Sequence, residues 1–166
     1  MTRTMVITAL FFSIFSCSDG CAKKTPSQSK KFENKNNEWI KLPDDLSNPG
    51  GMVLQNTRTK ASIVISFIGN KEMVPDAIKE EISNIADSEV EMSKVILSEN
   101  NETSTFNFKY VMDGQPFTGT VTIKRSNQGK LFLMILGIWP NEFHKEMSSD
   151  HKAMVDSITD ELKSLK

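Results

Sequence analysis

The chain has 166 residues, 38% of them apolar and 25% charged, with 20 Lys and Arg against 21 Asp and Glu and a formal net charge of −1. That is enough for one ordinary globular domain with its own core, and not for two. No catalytic constellation stands out, so the residues speak to location and shape more than to a reaction.

The first sixteen residues depart from the average composition. Arg3 carries the one positive charge, and residues 5–15 are uncharged, with only Thr8 and Ser13 as polar interruptions. This has the length of the apolar region of a secretory signal and falls well short of the roughly 20 residues that span a bilayer as a helix. Directly behind it stands Ile14-Phe15-Ser16-Cys17, which resembles the lipobox of bacterial lipoprotein signals: an aliphatic residue three before the cysteine and a small one directly before it. The other frame, Ser18-Asp19-Gly20-Cys21, would put a charge inside the box.

The resemblance implies a signal peptide at residues 1–16, cleavage before Cys17, a thioether-linked diacylglycerol on its sulfur and acylation of the new amino terminus. Each buried methylene contributes about 0.8 kcal/mol, so two or more chains hold a protein stably on a membrane where one would not. Cys17 is thus the expected lipid-attachment site. Cys21 cannot pair with a sulfur that lipidation consumes, which leaves it as an odd thiol, incidental or open to an intermolecular bond. Ser18, directly after the anchor, favours the outer membrane over the inner one.

Residues 17–38 are then the lipidated cysteine and a polar tether. From Ser18 to Glu38 there is one aromatic residue, no aliphatic residue larger than alanine, and five lysines against three acidic side chains. Such a stretch cannot bury enough apolar surface to offset its chain entropy. Residues 39–166 carry 14 basic and 18 acidic side chains. An acidic domain argues against a nucleic-acid partner, which selects for a basic face.

The folded part opens with an extended piece over residues 39–42, stopped by Pro43, and a turn-rich stretch with Pro49, Gly50 and Gly51. In residues 60–68 the pattern alternates, with Ala61, Ile63, Ile65 and Phe67 on one side and Ser62, Val64, Ser66 and Ile68 on the other, which predicts a strand. The period then changes: Ile78, Ile82, Ile85 and Ala86 recur at helical spacing, with Pro75 and Asp76 suited to the first turn. Residues 92–99 read as a short strand. Phe106, Phe108, Tyr110 and Met112 share one face of the next, Asp113-Gly114 is a type I′ turn signal, and Val121 and Ile123 share a face of the returning strand. Residues 131–139 are apolar throughout except Gly137, the pattern of a strand buried on both faces. After Pro140, Met154, Val155, Ile158, Leu162 and Leu165 make one helical stripe, with Ser148 or Ser149 as cap and Asp150 in the first turn.

Two amphipathic helices and a doubly buried strand predict an α+β domain, a three-layer α/β/α sandwich whose central sheet is antiparallel because its links are short. An opening Ile-Lys-Leu-Pro strand, the entry into the 61–67 strand, a helix after a proline, a strand meander and a closing helix resemble the PsbP/Mog-like fold group, which includes DcrB-type bacterial lipoproteins. The resemblance spans residues 39–166 and implies a module that binds proteins, with no shared catalytic site.

Other chemistry is weak. His144 and His151 are seven apart, off the i, i+4 spacing of two ligands on one helical face, and read as surface histidines. Asp44-Asp45, Glu80-Glu81 and Asp160-Glu161 lack a calcium-loop pattern, and the last two pairs read as solvated faces. Gly50-Gly51 is no phosphate loop, Asn101 heads a glycosylation pattern unsuited to a bacterial lipoprotein, and no Gly-x-Ser-x-Gly nucleophile motif occurs. Met52, Met73, Met92, Met112, Met134 and Met147, assigned outside the last helix, read as core filling. The expectation is a non-enzymatic, membrane-anchored envelope lipoprotein, needing no cofactor or metal, whose domain faces the periplasm and binds another envelope protein. The rival is a small-molecule or lipid-binding module with a pocket between sheet and helix.

Overall fold

The computed structural model describes residues 38–42, 51–99, 102–125 and 131–164, with residues 159–164 described by backbone alone. In chain order the elements are β1 (Trp39–Lys41), β2 (Met52–Asn56), β3 (Ser62–Ile68), α1 (Val74–Ser83), β4 (Glu91–Met92), β5 (Ile96–Leu97), β6 (Thr103–Met112), β7 (Gln115–Arg125), β8 (Phe132–Pro140), a 3-10 turn (Asn141–Phe143) and α2 (His144–Ser164). Among the described residues eight strands form one antiparallel sheet in the order β1-β2-β3-β8-β7-β6-β4, with β5 also paired to β6.

The alternation along each strand decides which side chain meets which helix. Val64 and Ile68 of β3, Met134, Leu136 and Ile138 of β8, Val121 and Ile123 of β7 and Phe106, Phe108, Tyr110 and Met112 of β6 join Val74, Ile78 and Ile82 of α1 in one core. Residues of the other parity, Ile63, Leu133 and Ile135, pack with Met154 and Val155 of α2. Ala61 and Trp139 pack with Met147, also of α2. β8 is apolar in both parities because Met134, Leu136 and Ile138 join the α1 cluster while Leu133, Ile135 and Trp139 join those of α2. Its burial starts at Leu133; Leu131, expected inside, is 39% exposed.

The β6–β7 hairpin forms where Asp113-Gly114 predicts it. Both residues lie in the left-handed region, Asp113 at φ 50° and Gly114 at φ 73°, the backbone that a type I′ turn needs. Met112 then faces Gln115 and the register runs unbroken to Thr103 and Lys124.

Four local expectations are corrected. The first helix ends at Ser83, although Ile85 and Ala86 still pack on the core from the turn beyond it. The strand expected over residues 92–99 is two short pieces, β4 and β5. The last helix starts at His144, so Ser148, Ser149 and Asp150 lie inside it and do not form its beginning. Met147, placed outside that helix by the sequence reading, is in it and is 1% exposed.

Candidate functional site

β6 is the last long strand on this side of the sheet, and the segment carrying β4 and β5 that closes its edge is held by serines. Ser88, Ser93 and Ser98 recur every fifth residue. Their hydroxyl oxygens accept the backbone N–H of Val111 at 3.1 Å, Asn107 at 2.9 Å and Thr103 at 3.0 Å. Those same β6 residues accept in return, through their carbonyls, from the N–H of Asp87, Ser93 and Ser98 at 2.7, 2.8 and 2.9 Å. A hydroxyl thus stands in for a ladder carbonyl three times. Five edge residues run beside four of β6, so the edge carries an extra residue in each interval, a bulge that bends it and breaks a regular ladder.

The bulged stretch leaves its apolar side chains in water. Val95 is 46% exposed, Ile96 65% and Leu97 52%, three consecutive large apolar residues, the last two forming β5 and the first directly before it. Ile96 stands beside Thr105 on one face of β6 and Leu97 beside Ser104 on the other. Nothing in the sequence separates this run from a buried strand; β propensity and hydrophobicity are the same in both cases.

At the other end of the edge, residues Glu89, Glu91, Lys109, Thr118 and Asn141 border a shallow open depression of 140 Å³. Thr118 donates its hydroxyl to Asn141 Oδ1 there at 3.0 Å. A second open hollow, of 440 Å³, lies over Glu142, Phe143, Glu146 and Asp150 on the outer side of the start of α2. The space beneath α1 is filled by Val74, Ile78 and Ile82 against β6 to β8, and the space beneath α2 by Met147, Met154 and Val155. Neither hollow is the apolar cavity between sheet and helix that the rival reading requires.

The two histidines differ. His144 is exposed and accepts the Trp139 indole N–H through Nδ1 at 3.2 Å. His151, expected at the surface, is 3% exposed: it lies four residues after Met147 and three before Met154, on the buried stripe of α2. Burial lowers its proton affinity, a bond to the Ile135 carbonyl working the other way. Among the described residues no three His, Cys, Asp or Glu side chains come together as a metal site.

Tyr110 stacks between Phe108 and Phe117, with centroids at 6.1 and 5.4 Å. Its hydroxyl is buried with no partner among the described residues, and desolvation pushes its ionisation upward. That is the setting of a core phenol, not of an acid or base. Arg58, in the β2–β3 turn, pairs with Glu38 at 3.0 Å and with Glu146 of α2, and lies over the Phe143 ring. The Glu38 hydrogen bond is the largest cause of its raised proton affinity. Asn56, fully buried, caps the same turn by accepting the N–H of Arg58 and Thr59 at 3.0 and 2.9 Å.

Of the pairs weighed from sequence, Glu80 is exposed and Glu81 half-buried on α1. Cys17, Cys21, the signal and tether up to residue 37, Asp44-Asp45, Gly50 and Asn101 lie outside the described residues, as do the side chains of Asp160, Glu161, Leu162 and Leu165. Among the described residues no helix is long and apolar enough to cross a membrane.

No protein-family model matches the chain, and no curated protein sequence does. Among solved structures it is similar to the Ran-binding protein Mog1p of Saccharomyces cerevisiae, at 13% identity and a TM-score of 0.47, over 69% of this chain and 75% of that one. It is also similar to LpqN, involved in cell envelope biogenesis of Mycobacterium tuberculosis, at 14% identity and a TM-score of 0.44, over 70% of this chain and 74% of that one. Likeness at this level carries neither activity nor partner across.

Proposed function

We propose that the chain is a bacterial envelope lipoprotein, anchored through Cys17, whose single domain binds another envelope protein and performs no chemistry of its own. The observation that carries the binding role is the exposed run Val95, Ile96 and Leu97 at the β5 edge of the sheet. Large apolar side chains gathered on a sheet edge are costly to leave in water and mark a surface that a partner covers. The bulges beside them shorten the regular edge, which disfavours open-ended strand addition and favours one defined contact.

The rest of the reading follows from the sequence. Residues 39–166 make one domain, the two helices completing a three-layer α/β/α sandwich of the PsbP/Mog-like kind; the support is the element order and the opposite parity of the strand residues that each helix meets. The polar stretch from Ser18 to Glu38 would let the domain range about 25 Å from the membrane if it behaves as a flexible coil. That reach suits a partner in the same membrane, the outer one by the serine after the anchor.

The test is photo-crosslinking in intact cells. A photoreactive residue at Ile96 is expected to give a discrete protein adduct, while the same residue at Glu80, exposed on α1, gives none. No adduct at either position, or the same adducts at both, contradicts the edge as the binding surface.

A further inference from the structure

Where β8 runs into α2, two histidines and a tryptophan form an arrangement that partner binding at the β5 edge does not use. Trp139 is fully buried, and its indole N–H donates to His144 Nδ1 at 3.2 Å. The His151 ring lies 5.9 Å from the Trp139 ring, with Nε2 3.3 Å from the Ile135 carbonyl oxygen. A carbonyl can only accept, so Nε2 carries the proton. Gly137 makes the approach feasible: a Cβ there would lie 2.5 Å from Trp139 Cζ3 and 2.8 Å from His151 Cδ2.

Protonation acts on the two histidines differently. His144 accepts through a lone pair on Nδ1 that imidazolium lacks. A protonated His151 would keep its bond to Ile135 and bring a full charge into an apolar seam, which is costly without a counter-ion. None is on hand. The seam's β8 residues, Ile135, Gly137 and Trp139, and Ala61 and Ile63 at β3 are not ionisable. On α2, Asp150 accepts the Trp39 indole N–H at 3.1 Å, and Glu146 pairs with Arg58. Glu142 and Lys145, flanking His144, are exposed. The causes acting on His151 are desolvation and the Ile135 bond, with no charged neighbour among them.

We propose that the start of α2 is an acid-released latch: neutral His144 and His151 hold it on Trp139, and protonation of both frees residues 144–151 from β8 while the sheet stays folded. Release would uncover Trp139 and Met147, an apolar surface that is closed at neutral pH.

The test is amide hydrogen exchange on the full-length chain in mild detergent micelles at pH 7.5 and pH 5.0, corrected for intrinsic rates, with tryptophan emission read in parallel. At pH 5.0 the protection of residues 144–151 is expected to fall at least tenfold, reversibly and with a red shift of emission, while residues 103–112 of β6 keep theirs. The His144→Gln, His151→Gln double variant is expected to lose that pH response. His144→Gln alone, at an exposed position and retaining an acceptor for the indole, is expected to fold and to give a weaker response. Unchanged protection at residues 144–151, loss in β6 in step with α2, or a response as large in His144→Gln as in the parent chain overturns the latch.

Discussion

The Phe108 ring fills the space that a side chain at Gly119 would occupy. The two residues face each other across the β6–β7 ladder, and a Cβ at Gly119 would lie 2.0 Å from Phe108 Cζ. A ring 1% exposed in the α1 side of the core cannot turn aside without displacing its neighbours. Gly119→Ala is therefore expected to destabilise the fold by about 3 kcal/mol, at the upper end for overpacking. In a Phe108→Leu background most of that added cost should vanish. Urea denaturation of the two single variants and the double variant checks the coupling; equal costs in both backgrounds would show that the ring is not the obstacle.

The serine edge gives a second, local prediction. Ser93→Ala removes the acceptor of the Asn107 N–H and is expected to cost about 1 kcal/mol. Its signature is amide exchange that accelerates at Asn107 while Val111 and Thr103, held by Ser88 and Ser98, keep their protection. Uniform acceleration along β6 would mean that the edge unzips as one piece and that the three serines do not act separately.

Stability should also depend on His151. Its proton affinity in the fold is lowered, so below about pH 6.5 the unfolded chain takes up a proton that the folded chain refuses. The free energy of unfolding then falls as pH drops through that value and levels off below the lower value in the fold. The slope contributed within that window is about 1.4 kcal/mol per pH unit. Denaturation at pH 7.5, 6.0 and 5.0 should show a steeper acid loss in the parent chain than in His151→Gln; a parent chain that gains stability relative to the variant on acidification has the sign reversed.

Ile96→Asp and Leu97→Asp separate binding from folding. Both side chains are mostly in water, so each change is expected to shift stability by no more than about 0.5 kcal/mol. Each should nonetheless abolish a crosslink formed through the neighbouring position. A loss of several kcal/mol would show that the run packs against the protein's own chain.

Periodicity made the long elements legible. The alternation of β6, the turn at Asp113-Gly114, the doubly apolar β8 and the Ile78 and Ile82 stripe of α1 each follow from a period of 2 or 3.6 and from one turn signal. The missed features lack such a period. Serines five apart match neither, because bulges set their spacing. The exposure of Ile96 depends on its place at the edge of the sheet, which no local pattern encodes. His151 is legible from its spacing to Met147 and Met154, which puts it on the buried stripe; the seven-residue gap to His144 bears on metal ligation and says nothing of burial. The start of α2 was hidden because Lys145 and Glu146 interrupt the apolar period before Met147.

The anchoring at Cys17 is the central claim and is tested by metabolic labelling. The full chain, expressed in a bacterial host with an azide-bearing fatty acid and then fractionated, is expected to take up the label and to sediment with the membranes. Cys17→Ser should lose both properties, while Cys21→Ser keeps both. Label and membrane association persisting in Cys17→Ser would contradict the lipoprotein reading.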